Sequence, residues 1–229
     1  MSNLEQLLRN RGVALIGYAD LAPLDPELRW GYPRAVAIGW ALDPRIIAGI
    51  ADGPTDDYCD EYDRVNAILG DIATEAAEFL RAACWQAAPV PPTEEFDRAT
   101  LAAPFQNKTA ATLAGMGWIG RSALLITPEF GPAVRWASVL TDAPLPVGTP
   151  ITESRCGDCN KCVQTCPGHA PSGKLWTQGM AREDFWDVRA CLQGMKQASS
   201  ARAIRLGICG MCVACCPHTI AYLKRAGAL

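Results

Sequence analysis

The chain has 229 residues, 49% of them hydrophobic and 20% charged, which is enough to bury a substantial core and excludes a disordered chain. Its apolar runs fall short of the ~18 residues a membrane helix needs. The charge changes sign along the chain: residues 1–150 carry 11 Lys and Arg against 19 Asp and Glu, while residues 151–229 carry 10 against 5.

The first segment, MSNLEQLLRN, has no basic stretch before an apolar core, so no secretory leader is expected and a cytoplasmic location is. Ser2 and Glu5 are spaced as a capping box before Leu4, Leu7 and Leu8, and Gly12 stops that helix. The runs 13–18 and 35–40 read as buried strands. Asp43-Pro44 reads as the cap and first residue of a short helix through Ile50. Residues 56–83 repeat apolar side chains at a 3.6 period, from Val65 through Ile72 to Leu80, with Thr55 as a cap. Pro89, Pro91 and Pro92 mark a loop. A short helix over 108–114 follows, then strands over 123–126 and 133–140 separated by a turn at 128–132. The proline-rich stretch 142–150 is a connector. It divides a first domain, 1–148, from a second, 149–229.

Eleven cysteines are the anomaly, and nine of them lie between Cys156 and Cys216. A disulfide framework belongs to small secreted chains, so clustered thiols here favour metal. Cys156, Cys159, Cys162 and Cys166, the last followed by Pro167, form C-x2-C-x2-C-x3-C-P. That is the bacterial ferredoxin run, whose fourth cysteine serves the other of two clusters. A zinc site would ordinarily need four ligands in pairs. Cys209, Cys212, Cys215 and Cys216 open a second run, with Thr219 where a full run would place its last cysteine. Two [4Fe–4S] clusters can still be held by crossing. Cys156, Cys159, Cys162 and Cys216 hold the first; Cys166, Cys209 and Cys212 hold the second, with Cys191 or Cys215 completing it.

The basic second region could be a solvated face or a nucleic-acid surface. Neutralising two anionic clusters accounts for it better, so nucleic acid is not the expected partner. His169 and His218 are the only histidines. Every ligand slot is already filled, so both are expected to make local hydrogen bonds.

These runs, together with the segment 114–122 (AGMGWIGRS) and the segment 139–145 (VLTDAPL), resemble the epoxyqueuosine reductases, a family related to reductive dehalogenases. The resemblance covers most of the chain from about residue 95. It implies a nitroreductase-like α/β domain with a mixed sheet that holds a cobalamin, followed by a ferredoxin-like domain with two [4Fe–4S] clusters. It also implies that the intervening cysteine, Cys191, completes the second cluster, leaving Cys215 as a buried thiol beside it. Nitroreductase-like domains often pair, which leaves a dimer open.

The family pattern is broken in three places. Its proton-donor aspartate falls on Leu101 and its glutamate on Asn107, and a leucine delivers no proton. Its Gly-Lys-Asn is Gly120-Arg121-Ser122, and its C-terminal helical-repeat region has no counterpart before Leu229. The expectation is a short paralogue whose reaction is not reduction of epoxyqueuosine in tRNA.

Two functions follow. In one, the clusters pass electrons to a cofactor or substrate, a corrinoid or a flavin, in the first domain. Gly117 and Gly120 would let backbone approach a flat ligand, Trp118 would stack on it, and Lys108 and Arg121 would meet its anionic groups. In plainer terms those glycines are a turn, Trp118 is core and the cations are surface residues. In the other, the chain is an electron-transfer module docking on a partner enzyme, a redox protein in either case. Cobalamin handling without catalysis is a third, weaker reading.

Overall fold

The computed structural model describes residues 2–92, 97, 99–205 and 207–229. The chain divides into two compact units. Unit 1 takes residues 1–41, 65–116 and 135–151, and unit 2 takes 42–64, 117–134 and 152–229. The last switch between them, at 151/152, lies three residues past the connector boundary expected at 148/149. Two earlier segments, 42–64 and 117–134, also belong to unit 2.

Unit 1 is built on a four-stranded sheet of Leu15–Asp20 (β1), Arg34–Ala41 (β2), Val134–Thr141 (β6) and Ala87–Val90 (β3), in that order. Helix α1 (Ser2–Asn10) buries Leu4 and Leu8 completely. The cap expected from the Ser2 side chain lies outside the described residues. The helix closes through Gly12, at φ 87°, whose N–H donates to Arg9 O at 2.9 Å while Val13 N–H donates to Leu8 O at 3.1 Å. Those closing bonds occupy residues 12 and 13. Strand β1 therefore runs Leu15–Asp20, two residues later than the apolar run suggests. It pairs antiparallel with β2 (Arg34–Ala41), Ile16 facing Ile38.

Strand β3 (Ala87–Val90) pairs antiparallel with β6 (Val134–Thr141). The proline signal at 89 led to a loop reading; β3 is instead an edge strand, where a proline costs no central ladder bond. Leu42 N–H donates to Ala133 O beyond one end of β2 and β6, and Arg34 Nη1 reaches Ala143 O at the other. That pair is antiparallel too, so the class is mixed α/β but the sheet is antiparallel, where mixed strand directions were expected. Helix α3 (Asp56–Ala82) starts with Thr55 Oγ1 accepting from Tyr58 N–H at 3.2 Å, and Val65, Leu69, Ile72 and Ala76 are fully buried along one face. Helix α4 (Asn107–Leu113) packs on β1 and β2.

Unit 2 has short elements. Helix α2 (Pro44–Ala48) is capped by Asp43, which accepts from Arg45 N–H at 2.8 Å. Strands β4 (Trp118–Ile119) and β5 (Leu125–Ile126) form a hairpin, the second shorter than the sequence suggests. The cysteine region carries α5 (Lys161–Thr165), α6 (Arg182–Phe185), α7 (Val188–Ala201), α8 (Met211–Ala214) and α9 (Pro217–Arg225). Among the described residues no helix is long and apolar enough to cross a membrane.

Candidate metal centre

The first cysteine run turns at Gly157, φ 52°, and Cys159 N–H donates to Cys156 O at 3.1 Å before the chain enters α5 with Cys162. Cys216 stands at the N-terminal end of α9, with Pro217 at the first helical position. These four cysteines, three from the first run and one from the second, line one cavity of about 180 Å³. Cys212, Arg121, Arg155 and Lys161 line it as well. At about 30 Å³ of liquid volume per water, this is far more than a packing defect.

The second group is assembled by α7. Asp187 caps that helix, accepting from Arg189 N–H at 2.8 Å and Ala190 N–H at 3.0 Å. Two turns on, Gly194 passes directly against Gly168, just after Cys166-Pro167. A Cβ on Gly194 would collide with Gly168 N, and one on Gly168 with Ala190 O. That backbone approach brings Cys191 to Cys166. Ser199 near the end of α7 donates to Ile208 O at 2.7 Å and accepts from Ile208 N–H at 3.1 Å. It thereby fixes the residue before Cys209.

The electrostatics sort the thiols in the same way. Burial pushes the Cys162 thiol up to about 12, and its neighbours Cys215, Cys156, Cys216 and Cys159 add to the rise. Burial lifts Cys191 to about 11, followed by Cys166, Cys209 and Asp187. The Cys209 thiol is raised by burial and by Cys166, against the Met211 amide. Cys212 is partly exposed as a residue, yet its thiol is deep. Burial raises it well above normal, with Cys209 and Cys191 ahead of Cys215 and Cys162. Cys216 reaches about 11 through burial, opposed by the amides of His218 and Thr219. Cys215 falls with the first group, its rise from burial opposed by the Thr165 hydroxyl.

The donor set fits a cluster better than a single ion. Among the described residues, no three His, Cys, Asp or Glu side chains converge on one metal ion. Zinc, at about 2.3 Å from each sulfur, would require that convergence. The nine thiols between Cys156 and Cys216 are all free of disulfides and partly exposed, and five of them line one cavity.

The residues expected to bind a flat ligand are placed differently. Lys108 stands on α4 of unit 1; Gly117, Trp118, Gly120 and Arg121 belong to the unit 2 hairpin. A Cβ on Gly117 would collide with Ile126 O, and one on Gly120 would come 2.8 Å from Ile126 Cγ1 and 3.5 Å from Cys156 Sγ. Both glycines thus serve the hairpin and its approach to the cysteine loop. Trp118 is only 4% exposed and meets His218 edge-on, ring centres 5.2 Å apart. Arg121 lines the cysteine cavity, and its guanidinium is engaged with backbone carbonyls. Its Nε donates to Cys159 O at 3.0 Å and its Nη2 to Gly157 O at 2.6 Å. The sequence reading missed this clamp, and it missed the Gly168–Gly194 crossing. A glycine in a helix interior is unfavourable enough to have signalled a close contact.

The architecture defines an α/β protein with a cysteine-rich second unit. The tetrachloroethene reductive dehalogenase of Sulfurospirillum multivorans is 35% identical over 133 residues, 50% of this chain and 24% of that protein. The epoxyqueuosine reductase of Gloeobacter violaceus is 31% identical over 127 residues, 51% of this chain and 37% of that protein. Among solved structures, a selenomethionine-labelled epoxyqueuosine reductase superposes with a TM-score of 0.65 at 19% identity, covering 96% of this chain and 66% of its own. A catabolic reductive dehalogenase superposes at 0.70 and 19% identity, covering 98% of this chain and 33% of its own. No family model matches the chain. The chain is a relative of the epoxyqueuosine reductases and reductive dehalogenases, both oxidoreductases, and the matches span well under half the length of these curated relatives.

Proposed function

We propose that the chain is an iron–sulfur oxidoreductase. Cys156, Cys159, Cys162 and Cys216 hold one [4Fe–4S] cluster, and Cys166, Cys191, Cys209 and Cys212 hold the other. The cavity that gathers the first four cysteines, with three cations around it, carries this reading. When bound, such clusters supply one-electron storage and transfer. The protein's own part is to hold the thiolates apart at fixed positions, to place Arg121, Arg155 and Lys161 against the anionic centre, and to exclude bulk water by burial. The electron acceptor is a small molecule or cofactor, a corrinoid or a flavin. One solved neighbour is described as a reductive dehalogenase with B12-dependent dehalogenation. A reducing, cytoplasmic setting and a redox partner protein as electron donor suit free thiols.

A second reading has an observation of its own. Leu101 stands where the family's proton donor would be, Trp118 is buried and Arg121 is engaged with backbone, so few of the expected ligand groups are free. The chain would then relay electrons to a partner enzyme without a reaction of its own.

Iron and cobalt counted on protein purified without oxygen, from cells supplied with cobalamin, separate these readings. About eight irons per chain are expected, and about four would end the two-cluster assignment. Stoichiometric cobalt beside the iron supports the corrinoid enzyme; iron alone moves the reading to the carrier or to a different ligand.

A further inference from the structure

We propose that Arg121 is a positioning residue of the first cluster. It clamps the Cys156–Cys159 turn by its backbone and sets the redox balance of the metal held there. This rests on the two-cluster reading and goes beyond it.

Three observations carry the proposal. The guanidinium spans two carbonyls of one turn, Gly157 O and Cys159 O, at 2.6 and 3.0 Å. A planar fork suits two acceptors held at fixed spacing, whereas an ammonium offers a single point of charge. The same side chain lines the cavity shared by Cys156, Cys159, Cys162 and Cys216. The hairpin that carries it is seated on this loop, since the neighbouring Gly120 leaves a Cβ only 3.5 Å from Cys156 Sγ.

Arg121 is also only partly exposed, whereas Arg155 and Lys161, which line the same cavity, are exposed. Solvent and salt screen those two more strongly. A cluster that gains one electron gains one negative charge, with no bond made or broken. A fixed cation at its face therefore favours the reduced form. The clamp and the charge are separable: lysine keeps the charge and loses the fork, and glutamine loses the charge.

The test is a dithionite titration of anaerobic full-length protein followed by electron paramagnetic resonance, with iron release to a chelator measured alongside. In Arg121→Gln the first cluster's midpoint should fall by about 59 mV, a tenfold change in its one-electron equilibrium. The second cluster's midpoint should stay in place. Arg121→Lys should keep the midpoint but release iron from the first cluster several-fold faster than wild type. Lys161→Gln should move the midpoint much less than Arg121→Gln. An Arg121→Gln protein with both clusters and an unmoved first midpoint overturns the proposal. So does Arg121→Lys with unchanged iron release, which decides the matter if Arg121→Gln retains no first cluster. A wild-type count well below eight irons removes the two-cluster reading itself, and is seen before any variant is compared.

Discussion

The two units are stabilised in different ways. Of the twelve largest fully buried side chains, eight belong to unit 1, among them Leu8, Ile38, Ile72 and Leu140. The four in unit 2, Leu42, Ile47, Ile50 and Leu223, all lie outside residues 152–216. Unit 1 is thus an ordinary hydrophobic fold, a sheet covered by helices, where each buried aliphatic side chain is worth roughly 1.5–3 kcal/mol. The cysteine segment is held by caps, backbone crossings and polar ties, and five of its thiols line one cavity. Where apolar burial is thin, metal binding supplies folding free energy directly. If the proposed clusters are bound, the second unit's order should be conditional on metal and the first unit's should not.

Removing the metal is the sharpest way to test that contrast. Chelation under anaerobic conditions should speed amide exchange across residues 152–216 by several orders of magnitude, since structural metal sites contribute on the order of 10 kcal/mol. The amides of β1, β2 and β6 should keep their protection. Exchange measured segment by segment decides this, and equal loss in both units would abolish the distinction.

A smaller and more local break is Gly194→Ala. In an exposed helix interior this change would stabilise by about 1 kcal/mol. Here the new Cβ meets Gly168 N and Pro167 C, so α7 must move away from the Cys166 turn. The expected outcome is loss of about four irons, those of the second cluster, with the first cluster's spectrum kept. Retention of all iron together with a higher melting temperature would show that the crossing does not position Cys191.

Acid should compete with metal more persistently than ordinary thiols would allow. Burial first, and then neighbouring thiolates, hold Cys162 near 12 and Cys191 near 11. A raised pKa means the proton is bound more tightly, and each proton must leave before iron binds. At fixed iron and sulfide, cluster loading should therefore keep rising through pH 9. It should not level off near the ordinary thiol value of about 8.5. A plateau at that value would show that the thiols meet iron from an opened segment, not from the pre-arranged one.

Much of this contrast was legible in the sequence, and the reasons it stopped short are specific. The 3.6 period of Val65, Leu69 and Ile72 gave α3 nearly to its ends, because one face of a long helix must be apolar. The 3-residue cysteine spacing marked the first run because a short turn has few ways to present three thiolates. Strand β3 was hidden because Pro89 reads as a breaker unless the strand is known to lie at an edge. Helix α7 (Val188–Ala201) was hidden because its buried positions are Gly194 and Ser199, not large apolar side chains, and its burial is decided by the glycine crossing. Arg121 was read as a ligand group because sequence shows its charge but not the two carbonyls that occupy it.

The smallest expected effect concerns the loop between the two cysteine runs. Arg205 pairs with Asp60 at 2.7 Å and Asp63 at 2.8 Å, joining that loop to the first turns of α3. All three side chains are about half exposed or more, so solvent screens both pairs. Exposed pairs of this kind contribute roughly 0.2–1 kcal/mol, less in high salt. Arg205→Ala should accordingly lower the melting temperature by a few degrees at low salt, with the difference shrinking at molar salt and the iron count unchanged. Ser199 already ties the end of α7 to Ile208 from within, so the loop keeps its path without the surface pairs. Iron loss in Arg205→Ala would mean that the path to Cys209 is set from the surface. It would also show that the cysteine unit depends on its polar ties for more than the metal can restore.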